Sequence, residues 1–363
     1  MHTFDMVVVG SGGGCDETNL SSYLIKPATA AWTDGIISLE GGSGQGALQQ
    51  ILQRNPKLLD CRKRYTASEI YSHVQCFLIT HGHLDHVSSL VLSAGSLKGP
   101  RKRLYAAKDT LGDMETIFSD RIWPNLASWK ESDDAYKYLY TPCVATPCST
   151  ASLLTLLQSG PSPKHKRVHT DVSVRSFRLN HGSNDSGAYE SSAFSIRHDP
   201  TGREFLFFGD VEPDSLARHP RTLDVWRYAA SKIPTTLSTI FIECSWPPAV
   251  PTSSCLATSA PSTWSTSSSR SPPKSSKLGE RRVAPRTGAS ASQEEEEEPI
   301  EREDRAGALK GLRVYITHCK ADFDAAHDRP IHEVIAGQVR QLVKDEGLGV
   351  EIIAAEQGMR IEI

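Results

Sequence analysis

The stretch Thr80-His81-Gly82-His83-Leu84-Asp85-His86 sets three imidazoles and one carboxylate within six residues. Left unpaired in a core, such groups are costly to desolvate, so their concentration directly after an apolar run points to a shared ion. Imidazole nitrogen and carboxylate oxygen are good donors to zinc and similar divalent cations. A turn that opens into a helix aims His81 and His83 at one ion, and Asp85 and His86 at a second.

One motif does not complete two coordination shells. Three further candidates each follow a stretch that reads as a strand: His181 after Val172–Asn180, Asp210 after Phe205–Phe208, and His318 after Arg313–Thr317. The carboxyl ends of strands are where α/β proteins build their sites. Singly these residues say little. A loop histidine is more often solvated than ligating, and Asp210, with Pro213 close behind, also fits a helix N-cap. Their order behind the histidine motif is what gives them weight.

The elements that must position these groups are short and mostly apolar. Phe4–Val9 is a strand candidate entering the glycine-rich turn Gly10–Gly14. Cys76–Thr80, with Phe77, Leu78 and Ile79 in succession, suits a strand covered on both faces. Glu204–Gly209 and Thr239–Glu243 read as strands, and Gly349–Ala354 as a closing one. The pattern predicts helices over Met114–Ile122, stopped by Trp123-Pro124, and over Ile331–Glu346. Gly10, Gly12 and Gly13 suggest a dinucleotide fingerprint, but Cys15 stands at its last glycine. A tight turn bringing Thr18-Asn19-Leu20 towards the site is the better reading, with Asn19 first a turn residue and second a hydrogen-bonding group near the metals. Residues 128–170, with the tract Ser159–Lys166, read as a surface insertion.

Composition sets the outer bounds. The 363 residues, 38% hydrophobic and 23% charged, suffice for a substantial globular core. A net charge of −3 argues against nucleic-acid and membrane-surface partners, which call for a basic stripe. There is no basic leader, the apolar run Met6–Val9 is too short for a signal peptide, and no stretch is long enough to span a bilayer. The expectation is a cytoplasmic protein. Eight cysteines without a repeated spacing then read as free thiols.

Several longer segments narrow the reading. Gly12-Gly13-Gly14-Cys15-Asp16-Glu17-Thr18-Asn19-Leu20-Ser21-Ser22-Tyr23-Leu24, Leu39-Glu40-Gly41-Gly42-Ser43, Ile117-Phe118-Ser119-Asp120-Arg121-Ile122-Trp123-Pro124-Asn125-Leu126, Gly209-Asp210-Val211-Glu212-Pro213-Asp214-Ser215, Ile242-Glu243-Cys244-Ser245 and Val314-Tyr315-Ile316-Thr317-His318 stand around the histidine motif. In these the chain resembles the fungal class II cyclic-nucleotide phosphodiesterases of the metallo-β-lactamase superfamily, over residues 4–126, 172–246 and 312–359. The resemblance implies one domain over residues 1–363, an αββα sandwich of two mixed sheets with outer helices. It implies two divalent ions, by ligand type zinc. His81, His83 and His181 would bind one, and Asp85, His86 and His318 the other, with Asp210 bridging. The catalytic roles would fall to Asp210, Asp85 and His181, and no organic cofactor is called for. The implied reaction opens cAMP, or cGMP, to the nucleoside 5′-monophosphate, as a hydroxide held between the ions attacks phosphorus in line with the departing 3′-oxygen. Two alternatives stand beside it: another hydrolase of the same fold, a thioesterase or tRNA-processing nuclease, and an inactive chain that only binds metal.

Between about residues 247 and 306 the composition changes to Ser, Thr, Pro and Arg, then to the acidic run Glu294–Glu298, with neither helical nor strand period. At face value this reads as disorder. The family resembled continues after its Cys-Ser pair with Pro-Asp and then two His-Leu pairs, which are missing here. Reading the codons one nucleotide earlier permits the Pro-Asp and both His-Leu pairs. The expectation is a shifted reading frame over this segment, with the original frame restored before Leu312.

Overall fold

The structure is a computed structural model that describes residues 2–60, 63–143, 165–185, 187–217, 220–245, 306–323 and 327–363. The first half supplies β1 (Phe4–Gly10), β2 (Ser22–Pro27), β3 (Ile36–Leu39), β4 (Val74–Leu78), β5 (Lys102–Ala106), β6 (Ala127–Ser128) and β7 (Tyr138–Pro142). The second half supplies β8 (Lys166–His169), β9 (Val172–Asn184), β10 (Gly187–His198), β11 (Glu204–Phe208), β12 (Leu237–Glu243), β13 (Arg313–Thr317), β14 (Glu351–Ala354) and β15 (Arg360–Glu362). They form two mixed sheets, ordered β15-β1-β2-β3-β4-β5-β7-β6 and β14-β13-β12-β11-β10-β9-β8. The chain crosses back at its end, where β15 pairs antiparallel with β1 through Asp5 and Glu362.

Strand alternation explains the layering. In β1, Phe4, Met6 and Val8 join the core between the sheets, while Val7 and Val9 join the core beneath the first set of helices. Aromatic rings close the inter-sheet layer: Phe4 meets Phe205 at 5.3 Å and Tyr23 meets Phe207 at 5.2 Å between centroids, both edge-on. Helices α1 (Gln45–Arg54), α2 (Ala67–Ser72), α3 (Leu84–Ser93) and α4 (Lys108–Ile117) cover the first sheet. Helices α5 (Thr222–Ala230) and α6 (Ile331–Asp345) cover the second, α6 through Ile335, Val339 and Val343 at four-residue spacing. This is the αββα sandwich.

Several elements differ from the sequence reading. The helix expected over Met114–Ile122 runs instead from Lys108 to Ile117. Asp120 takes φ +61°, and its Oδ1 accepts the Asn125 N–H at 2.7 Å, a local turn that competes with the helix well before the Trp123-Pro124 stop. The strand expected to end at Asn180 continues to Asn184. Gly349–Ala354 is not the closing strand, because β15 follows it. The stretch 128–170 has both flanks in the sheets: β7 carries buried Tyr138 and Tyr140 beside β5, and β8 pairs with β9. Residues 144–164, including all of the Ser159–Lys166 tract except His165 and Lys166, and nearly all of the 247–306 segment lie outside the described residues. No disulfide joins the described cysteines. Among the described residues no helix is long and apolar enough to cross a membrane.

Candidate metal centre

Thr80 follows β4, and His83 is the N-cap of α3 in extended conformation, so the motif is a strand-to-helix turn as its pattern required. Asp85 and His86 sit in the first helical turn. Asp210 arrives from the other sheet, just past the carboxyl end of β11. Gly209 makes that approach possible: a Cβ there would stand 2.4 Å from the Thr80 side chain and 2.6 Å from Ser191 Oγ. His318 follows β13 and holds φ +59°, an uncommon conformation for a non-glycine residue that costs about 1–3 kcal/mol and is usually tolerated at working sites.

His181 reaches the pocket by a route the sequence did not show. It lies inside β9 and not beyond a strand end. Asn180 pairs with Glu190 and Ser183 with Ala188, so His181 and Gly182 together face Tyr189 alone. This is a β-bulge, with Gly182 at φ +78°, and it re-aims the imidazole.

All seven expected residues converge. His81, His83, His181 and Asp210 form one group, and Asp85, His86 and His318 another, the donor atoms within each lying inside 4.8 Å of one another. Asp210 faces both. Its Oδ2 lies 3.5 Å from His181 Nε2 and 3.9 Å from His81 Nε2, while Oδ1 lies 3.2 Å from both His86 Nε2 and His318 Nε2. Asp85 Oδ2 is 3.2 Å from His318 Nε2.

The charge states of the two groups differ. Burial pushes His81 well below the ordinary imidazole range, helped by the neighbouring imidazoles, and lowers His83 too. Burial also opposes the charged form of His318, but hydrogen bonds to Asp85 and Glu243 outweigh it and raise the group to about 9. His86 is raised in the same way by Asp210 and Glu40. Asp210, although buried, is held far below the usual carboxylate range by His86, His318 and His81.

The residues fit a pair of ions on a structural ground. His81 Nε2, His86 Nδ1 and Asp210 Oδ1 are buried without a hydrogen-bond partner, and two of the three point into the cluster. Buried polar atoms are nearly always satisfied, and a bound cation would satisfy the orphans that face the cluster.

Five supporting residues had no role assigned from sequence. Thr80 Oγ1 lies 3.0 Å from His81 Nδ1. Glu40, fully buried at φ +59°, stands 3.6 Å from His86 Nδ1 and accepts the Thr80 N–H. Glu243 Oε2 is 3.4 Å and Ser245 Oγ 3.1 Å from His318 Nδ1. Tyr189 stacks on His83 at 4.6 Å with rings 6° apart. The strand-end rule that picked Asp210 and His318 would also have found Glu243. Tyr189 carried no local signal, because only the bulge brings it there. Asn19 is a turn residue, its Oδ1 accepting the Ser11 N–H at 2.9 Å.

The family model for class-II cAMP phosphodiesterases matches residues 48–256, more than half of the chain. The chain belongs to this family. The class-II phosphodiesterase resemblance extends to a 3′,5′-cyclic-nucleotide phosphodiesterase of Schizosaccharomyces pombe, 31% identical over 264 residues, covering 68% of this chain and 69% of the relative. A 3′,5′-cyclic-nucleotide phosphodiesterase of Aliivibrio fischeri is 26% identical over 364 residues, covering 98% of this chain and 92% of the relative. The crystal structure of unliganded yeast PDE1 matches with a TM-score of 0.72 and 17% identity over 100% of both chains, a likeness of fold. A dinuclear centre suits a class-II phosphodiesterase of this fold, and each of the two residue groups could hold an ion.

Proposed function

We propose that this chain hydrolyses 3′,5′-cyclic AMP, with cyclic GMP as the alternative substrate, to the nucleoside 5′-monophosphate. The observation that carries the reading is Asp210, whose two oxygens face the two histidine groups separately. In this reading His81, His83 and His181 hold one ion, Asp85, His86 and His318 the other, and Asp210 both. The nitrogen and oxygen donor set favours zinc. Bound divalent ions supply Lewis acidity at the phosphoryl group and an acidified water at neutral pH.

The chain's own residues prepare that chemistry. Glu243 and Ser245 face Nδ1 of His318 as acceptors for its N–H, Glu40 faces Nδ1 of His86, and Thr80 faces Nδ1 of His81, leaving Nε2 of each ring turned to the cluster. Such partners fix the tautomer and make the ligand more basic. The ring of Tyr189 holds the plane of His83. Buried walls around His81, His86 and Asp210 exclude bulk water, which strengthens every charge interaction inside.

A cytoplasmic location, and partners limited to the nucleotide without nucleic acid or membrane, complete the reading. The net charge of −3 supports it. The test is a comparison of cAMP, cGMP, an acyl thioester and a tRNA precursor with the purified chain. Cyclic nucleotide opened to the 5′-monophosphate, and lost on chelation, supports it. Cleavage of the thioester or RNA with both cyclic nucleotides left intact would overturn it.

A further inference from the structure

A cavity of about 270 Å³ opens beside the Asp85–His318 side of the cluster, and it plays no part in the arrangement of the seven donors. Gly13 and Gly14 belong to both places. A Cβ at Gly13 would stand 2.3 Å from the His318 ring, and one at Gly14 would stand 3.8 Å from Asp85 Oδ2, while both glycines line the cavity. Phe323 also lines it and is 70% exposed, the second most exposed of the large hydrophobic side chains among the described residues. Pro330 and Ile331 add apolar lining, and Asp322 adds a carboxylate. An aromatic ring left out of the core, beside a phosphoryl-binding centre, has the character of a platform for a flat ring.

We infer that this cavity is the nucleoside subsite and that Phe323 stacks on the base. The inference rests on the phosphodiester reading above and adds to it the residue that selects for a nucleobase. The missing side chain of Gly13 makes room for the His318 ring, whereas Gly14 has open space next to Asp85; with the cyclic phosphate at the cluster, the ribose passes over Gly14 and the base lies in the cavity against Phe323. The Asp322 carboxylate, already bonded by His327 Nδ1 at 2.8 Å, offers acceptor capacity at the edge, which suits a base bearing an exocyclic amine. Adenine and guanine both meet that description.

The test measures binding as well as turnover, because stacking acts without chemistry. Calorimetric titration of the zinc-loaded full chain compares AMP with ribose 5-phosphate, which has the phosphate and sugar without the base. Wild type is expected to prefer AMP, and Phe323→Ala to lose about 10-fold in AMP affinity with ribose 5-phosphate unchanged. Phe323→Tyr, which keeps the ring, should restore the preference. Phe323 lies outside the core, so its removal leaves the fold intact, and equal ribose 5-phosphate binding in all three proteins checks this directly. An unchanged AMP preference in Phe323→Ala overturns the inference, even in an enzyme that opens cAMP. Conversely, a Phe323-dependent AMP preference in a chain that leaves cyclic nucleotides intact would sustain the subsite and sink the hydrolysis reading.

Discussion

Replacing Glu243 by alanine tests how the second ion is held. Glu243 Oε2 stands 3.4 Å from His318 Nδ1, and Oε1 accepts the Val211 N–H at 2.5 Å. Glu243→Ala therefore removes the carboxylate that orients His318 and leaves an amide beside Asp210 without its acceptor. Ser245 Oγ remains 3.1 Å from His318 Nδ1, so the ring keeps one partner and is loosened, not freed. Loss of such an outer partner costs about 10–100-fold in metal affinity. That is about 1.4–2.7 kcal/mol. Glu243 faces His318 directly and reaches the His81 group only through the Val211 amide beside Asp210, so the binding step at His318 should weaken more than the other. Titrating the metal-free protein with zinc against a competing chelator resolves the two steps. Glu243→Gln, which keeps a carbonyl acceptor, should recover part of the loss. Equal weakening of both steps, or no weakening, would refute the assignment of His318 to an ion separate from that of His81.

Gly209→Ala forces a Cβ to within 2.4 Å of Thr80, and overpacking of this kind costs about 1–3 kcal/mol; denaturant unfolding should show that loss together with weaker metal binding, because Asp210 is the next residue. Asp5, buried against Lys26 at 2.5 Å and Arg360 at 3.1 Å, has its carboxyl lowered by those cations against the opposing effect of burial. A depressed folded-state pKa gives stability that is present above the unfolded value near 4 and is lost as pH falls through the folded one. Asp5→Asn should therefore cost about 3 kcal/mol at pH 7 in urea unfolding, with the gap to wild type closing only below about pH 4; a gap that persists unchanged below that pH would show that the charge is not the cause. For residues 250–306, genomic and transcript reads across codons 245–312 should reveal an insertion, a deletion or a misplaced splice junction, and reads confirming the present frame throughout would end the frame-shift reading.

Much of the site was legible because its chemistry is concentrated. Four donors in one turn have few other uses, and Asp210 and His318 stood where strand ends predict ligands. His181 was found for a partly wrong reason. Its strand does not stop at Asn180, and the bulge opposite Tyr189 that turns it inward depends on the register of β10, which no local pattern in β9 encodes. Glu40 looked like an ordinary polar residue in a glycine turn, yet it is fully buried with Thr80 and His86 as its partners. The early end of α4 shows the same limit. A proline marks where a helix cannot continue, whereas the side-chain turn at Asp120 stopped it sooner. The short β15 was missed because three residues carry too little alternation, and only pairing with β1 defines it.

The most direct measurement is the metal content of the purified chain by mass spectrometry under native conditions, in wild type and in Asp210→Ala. With Oδ1 facing His86 and His318 and Oδ2 facing His181 and His81, one carboxylate serves both halves of the centre. The account predicts two divalent ions per wild-type chain, and loss of both ions or sharply reduced occupancy of both in Asp210→Ala at equal fold stability. A single ion in wild type, or two ions retained at full occupancy without Asp210, would contradict it.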